Sequence, residues 1–199
     1  MARPTADIQG CLKAHERLRA LIDEMTDATA RRPSRLPDWT VGHVLTHIAR
    51  NAEAMVLRIR ASVQGDLIDQ YPGGPEGRDR EIVDGASRPA RELVDDITEW
   101  SSALDDAFGQ LPDEAWDLQV RTVGGDTHAI SLLPFRRWRE VEVHMADLDL
   151  GFTPEEWSPE LVSRVLPRLL DQLPQRADEH QLAAWMLGRS EPPRLTPWA

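Results

Sequence analysis

Apolar positions recur with helical period in four long segments of the chain. The first runs roughly from Thr5 to Ala30, its stripe passing through Ile8, Cys11, Leu12, Leu18, Leu21, Ile22 and Met25, with His15 on the same face. The second follows the breaker Arg32-Pro33-Ser34-Arg35-Leu36-Pro37-Asp38. There Asp38 or Thr40 can cap the new helix by accepting bonds from its free backbone N–H groups. Its stripe, Val41, Val44, Leu45, Ile48, Ala52, Met55 and Ile59, is the cleanest amphipathic pattern in the chain. The third spans roughly Pro89 to Leu111, and the fourth starts near Pro134, whose missing N–H costs nothing in a first turn, and ends at Gly151.

The fourth segment admits a rival reading. Arg139-Glu140-Val141-Glu142-Val143-His144 alternates polar and apolar, which as a strand would put Glu140, Glu142 and His144 on one face. Over the longer window Phe135, Trp138, Val141, Met145 and Leu148 recur every three or four residues, and the segment is too long for a typical strand, so helix is the better reading. Between the second and third helices, residues 65 to 87 read as an irregular loop. Tyr71-Pro72-Gly73-Gly74-Pro75 opposes regular structure there, and only a short turn is expected near Arg80–Val83. Gly124-Gly125-Asp126 marks a turn beside which His128 is expected to be exposed. Two further helices are expected near Pro159–Leu173 and Asp178–Leu187. The pattern predicts an all-α fold, an antiparallel four-helix bundle with a short helical C-terminal extension.

Composition narrows what such a bundle does. At 199 residues the chain suits one domain with a small appendage. A formal net charge of -11 argues against nucleic acid and against an anionic membrane surface as partners, since both need a basic face. Lys13 is the only lysine, so any carboxylate recognition falls to arginine, whose planar fork pairs bidentately. The single cysteine, Cys11, rules out an internal disulfide and fits a reducing cytoplasm. No apolar signal core opens the chain and no stretch approaches the roughly 18 apolar residues of a membrane helix, so a cytoplasmic location is expected.

Candidate chemistry sits on the second and fourth helices. Glu140 and His144 are four residues apart, hence on one helical face one turn apart, while Glu142 points elsewhere. His43 and His47 share a face just off the second stripe, and either can supply a third ligand. Two histidines and one carboxylate leave a coordination position open, the arrangement of a catalytic rather than a structural metal site. Zinc is the default, and iron, nickel or manganese suit the same ligands. His15 and His180 read as ordinary core or surface histidines.

Taken together, four stretches resemble the mycothiol-dependent maleylpyruvate isomerase family within the DinB-like metalloenzyme superfamily. They are Leu36-Pro37-Asp38-Trp39-Thr40-Val41-Gly42-His43 running on to Asn51; Tyr71-Pro72 with Arg78-Asp79-Arg80-Glu81-Ile82 and Gly85-Ala86; Leu133-Pro134-Phe135-Arg136-Arg137-Trp138-Arg139-Glu140 running on through His144 to Leu148; and, more weakly, Trp185-Met186-Leu187-Gly188-Arg189. The resemblance implies a metal held by His47, Glu140 and His144, with His43 near the mouth of the site. It also implies a bundle over residues 1–155, followed by a C-terminal extension over 156–199 that is reduced relative to the family.

The resemblance further implies mycothiol as thiol cofactor. A free thiol has a pKa of about 8.5, and coordination to a zinc-type cation deprotonates it outright. In the implied reaction the thiolate adds to the double bond of maleylpyruvate, the new single bond rotates, and elimination releases fumarylpyruvate and the thiol. Arg78, Arg80, Arg139 and Arg189 are the candidates for holding the substrate carboxylates. Alternatives are a mycothiol S-transferase that conjugates electrophiles and a non-catalytic metal-binding protein. The expected partners are thus a small thiol and a small anionic or electrophilic substrate, in a monomer or homodimer.

Overall fold

The four amphipathic stripes fold against one another in the structure, a computed structural model that describes residues 2–196. The elements are α1 (Thr5–Ile22), α2 (Asp27–Ala30), α3 (Val41–Val63), α4 (Gly74–Gly85), α5 (Ala90–Gln110), β1 (Gln119–Arg121), β2 (Thr127–Ala129), α6 (Leu133–Asp147), α7 (Pro159–Arg176) and α8 (Glu179–Met186). The chain divides into two compact units, one ending at Glu156 and the other beginning at Trp157.

Within the first unit α1, α3, α5 and α6 form the expected four-helix bundle. Around the bundle, α3 packs on α5 and α6, and α1 packs on α6 and α5. Leu18, Ile22, Leu45, Ile48, Leu93, Ile97, Leu104, Phe108, Val141 and Met145 are almost fully buried between them. Removing such side chains from water supplies about 1.5–3 kcal/mol each before conformational entropy is charged against it. A short antiparallel ribbon pairs Gln119–Arg121 with Thr127–Ala129 across the glycine turn. His128 lies on this ribbon half-buried rather than exposed, its Nδ1 donating to the Ala129 carbonyl at 2.9 Å.

Two further expectations fail. The first helix does not run to Ala30: α1 stops at Ile22, and Thr26 starts α2 by accepting from the Thr29 N–H with its side chain. The apolar period continues through Met25, but a local cap offers the backbone a better partner than a further helical turn. The second correction bears on the site. Residues 74–85 form a three-turn helix, α4, where an irregular loop with a turn near Arg80–Val83 is expected. Gly73, at φ 75°, turns the chain into the helix in the left-handed conformation open to glycine, and Pro75 occupies the first turn, where it needs no N–H. The residues that look like breakers are the helix start.

Packing of α4 on α3 is close because glycines stand at the contact. A Cβ on Gly42 would lie 2.2 Å from the Ala86 carbonyl oxygen, and one on Gly85 would lie 2.5 Å from Thr46. With Ile82 1% exposed at the same contact, α4 is fixed across the segment of α3 that carries His47.

In the second unit α7 and α8 bury Leu161 and Leu182. Asp178 caps α8 by accepting from the Gln181 N–H, and the Arg176 guanidinium holds the Thr196 carbonyl. Among the described residues no helix is long and apolar enough to cross a membrane.

Candidate metal centre

His47 lies in the second turn of α3, a helix started by a capping box in which Thr40 accepts from the His43 N–H and the His43 ring accepts from the Thr40 N–H. His43 is thereby occupied as a cap, and its Nδ1 lies 2.8 Å from the Thr40 hydroxyl. Glu140 and His144 stand one turn apart on α6. Where α3 meets α6, His47 Nε2 lies 2.8 Å from Glu140 Oε1 and 3.2 Å from His144 Nε2, and His144 Nε2 lies 3.6 Å from Glu140 Oε1. Glu142 takes no part: it is buried on another face of the helix and accepts from Trp138 Nε1 at 2.8 Å.

The donor set fits a divalent cation. Two imidazole nitrogens and a carboxylate oxygen form a triangle with edges of 2.8, 3.2 and 3.6 Å. Tetrahedral ligands at bond lengths of about 2.0–2.1 Å stand roughly 3.3–3.4 Å apart. The His47 side chain is 6% exposed, but Glu140 and His144 each retain 18%, so the triangle opens on one side to solvent.

The ring orientations are set from behind. His144 Nδ1 donates to Asp147 Oδ2 at 2.8 Å, which directs its Nε2 toward the centre and makes the ring a better ligand. Arg78, on α4, reaches His47 Nδ1 with Nη2 at 3.2 Å. A neutral His47 accepting there carries its proton on Nε2, aimed at Glu140, and a cation bound by the three groups takes that proton's place. The Trp39 ring meets His47 edge-on, with centroids 5.8 Å apart, and stacks on His43 at 6.1 Å. Trp39 is held there because the preceding loop is tied to the end of α6, with Arg35 N–H donating to the Asp147 carbonyl at 2.8 Å.

Electrostatics in the triangle favour charge on Glu140 and His144 and neutrality on His47. Burial by itself raises the Glu140 pKa, yet the bonds from His144 and His47 outweigh it and hold the carboxyl well below its ordinary range. Burial lowers His144 as well, but the bonds to Asp147 and Glu140 win and raise it to about 9. His47, buried most deeply, is lowered by desolvation against the pull of Glu140.

The expected arginines differ in setting. Arg78 joins the site; Arg80 is exposed on the same helix with its guanidinium over Gly73; Arg139 is half-buried on α6; and Arg189 lies exposed in the second unit. Sequence reasoning assigned no role to Asp147, three residues after His144, or to Trp39. The i, i+3 spacing of Asp147 was the available signal for the first, and nothing local marked the second.

A second group of ligand-type side chains sits deeper in the bundle: Cys11, His15 and Asp105. His15 Nδ1 donates to Asp105 Oδ1 at 2.6 Å, and its Nε2 accepts from Arg137 Nε at 2.9 Å. Both ring nitrogens are therefore spent, and a guanidinium stands where a cation would enter. Burial pushes the Cys11 thiol up and His15 down to about 4, so one stays protonated and the other neutral. This group suits a structural network and not a metal.

Comparison with known proteins agrees with the fold and with the resemblance noted above. The crystal structure of the mycothiol-dependent maleylpyruvate isomerase superposes with a TM-score of 0.76 at 26% identity, covering 82% of this chain and 67% of that one. The crystal structure of a histidine-to-alanine mutant of a mycothiol-dependent maleylpyruvate isomerase matches equally well, at 25% identity and the same coverage. YfiT from Bacillus subtilis, a four-helix bundle of unusual topology, matches with a TM-score of 0.59 at 18% identity over 81% of this chain and 87% of that one, which speaks to the fold. A search of curated protein sequences finds no match. The sequence model of the mycothiol maleylpyruvate isomerase N-terminal domain matches residues 11–149, which include the whole triangle of ligands, and on that match the chain belongs to this family.

Proposed function

We propose that this protein isomerises maleylpyruvate to fumarylpyruvate with mycothiol, using a zinc-type cation held by His47, Glu140 and His144. Family membership carries the enzyme type, and with it dependence on a metal and a small thiol. The observation that supports the finer reading is the triangle itself. Two imidazoles and a carboxylate are aimed at one point, with one side left open.

Bound there, the cation supplies Lewis acidity that holds a thiol as thiolate at neutral pH. The chain's own residues do the rest. Asp147 keeps the His144 ring turned to the centre, and Trp39 shields the flank of His47 from water. Arg78 stands beside His47 with 28% of its side chain exposed, where it can pair bidentately with a substrate carboxylate and fix the double bond relative to the attacking sulfur. Arg80 instead sets its guanidinium over Gly73.

The test combines composition and turnover. Protein purified from metal-replete medium is expected to hold about one zinc-type ion per chain, and the holoprotein with mycothiol is expected to convert maleylpyruvate, followed by absorbance. Stable conjugation of an electrophile such as a bimane, without isomerisation, would instead establish an S-transferase. Metal-free protein would sink the central claim. Replacing Arg78 by Met is expected to raise KM for maleylpyruvate with little change in metal content.

A further inference from the structure

Arg137 is the most deeply buried cation in the bundle, 0% exposed, and no step of the proposed chemistry uses it. A buried arginine is costly unless its donors find acceptors, and here Nε and Nη1 are bonded while Nη2 has no partner among the described residues. Its Nε donates to His15 on α1; its Nη1 donates both to the Ile48 carbonyl at 2.8 Å and to Asn51 Oδ1 at 2.9 Å on α3. The side chain itself comes from α6. One planar group thus joins three of the four bundle helices.

The places it touches are not arbitrary. Ile48 follows His47 directly, and Asn51 lies one turn beyond it on the same face. Arg137 lies one turn before Glu140 on α6. The guanidinium therefore spans the α3–α6 seam one layer beneath the ligand triangle. Behind it, His15 donates from Nδ1 to Asp105, and Arg19 lies 3.6 Å from that carboxylate while donating to Ser101 on α5 at 2.8 Å. The fork is thus braced from the far side of the core through Nε and from α3 through Nη1.

We propose that Arg137 is a positioning residue for the metal centre: held by His15 and Asp105, its guanidinium locks the α3 turn carrying His47 against the α6 turn carrying Glu140 and His144. This rests on the reading of that triangle as a metal site. Ligand separations of about 3 Å tolerate little slip between helices, and side chains can follow such slip only by leaving their rotamers. Lysine cannot replace the fork, because one ammonium does not reach His15 and the α3 acceptors in the same geometry.

The experiment loads wild-type protein with cobalt(II), reads its visible absorption, and measures its dissociation constant by chelator competition. Arg137→Lys, Arg137→Met and Asn51→Ala are then compared with Leu104→Ala, a core change on α5. Arg137→Lys is expected to weaken cobalt binding about tenfold, near the lower end for groups that support metal ligands, and to alter the absorption bands. Leu104→Ala is expected to lower Tm yet keep both affinity and spectrum. A folded Arg137→Lys protein with wild-type affinity and spectrum overturns the proposal, as does an equal shift in Leu104→Ala. If both Arg137 variants fail to fold, Asn51→Ala carries the test: a shifted spectrum supports the proposal and an unchanged one overturns it. Wild-type protein that takes up no cobalt sinks the metal reading first, and this inference with it.

Discussion

Two groups in the same bundle place a histidine against a carboxylate with a third ligand-type side chain beside them, and they differ in what their donor atoms are left to do. At His47, Glu140 and His144 the donor atoms face one another and the space between them opens outward. At Cys11, His15 and Asp105 both imidazole nitrogens are spent, on a carboxylate and on Arg137, and the thiol stays protonated. Residue type alone does not separate the two. What separates them is where the ring nitrogens point and whether a resident cation already fills the position.

The comparison breaks most sharply at the ligands. His47→Ala and His144→Ala are each expected to lose the bound metal, read by elemental analysis, whereas Cys11→Ala and His15→Gln are expected to keep about one ion per chain. Loss of metal in the second pair alone would reverse the assignment. A smaller effect is expected when the inner group loses its acid. Asp105→Asn replaces the carboxylate that accepts from His15 and faces Arg19 by a neutral amide, and is expected to cost about 2 kcal/mol in urea unfolding, the worth of a hydrogen bond to a charged group.

The two histidines also set opposite pH limits. His15 is lowered to about 4 in the folded protein, so it stays neutral while an unfolded histidine takes up a proton below about 6.5. Its contribution is full above that value and is lost as pH falls toward 4. His144 is raised to about 9, so its contribution in metal-free protein is full below about 6.5 and is lost as pH rises through 9. Unfolding of metal-free protein in urea across this range is expected to give a stability maximum between the two, which His15→Gln broadens on the acid side. Metal affinity runs the other way on the alkaline side, since the ion must displace the His144 proton: about tenfold tighter per pH unit up to about 9. Asp147→Asn is expected to weaken metal binding about tenfold by releasing the ring. Smallest of all, Cys11→Ala is expected to cost about 1 kcal/mol, consistent with a thiol that only fills space.

How much of this was legible follows from distance along the chain. The α3 stripe was plain because this helix is buried on several sides, and Glu140 with His144 was plain because four residues make one turn. The strand-like alternation around Val141 gave way to the longer helical period, which removed Glu142. α4 was misread because Gly73, Gly74 and Pro75 signal a stop in isolation and a start only once Gly73 adopts its left-handed turn. Choosing His47 over His43 needed the family pattern; the structure gives His43 a separate task as a cap. Arg137 was illegible for a different reason. Arginine is nearly always exposed, and its partners lie 122, 89 and 86 residues away in sequence.

The loop that carries Trp39 to the edge of His47 has one more consequence. An indole in contact with a ligand ring is a fluorophore wired to the centre, with no dye to attach. Cobalt or copper seated between the histidines would drain its excited state, while zinc, with a closed shell, would leave it bright. The emission that disappears in Trp39→Phe therefore reports, titration by titration, which ion has entered and when.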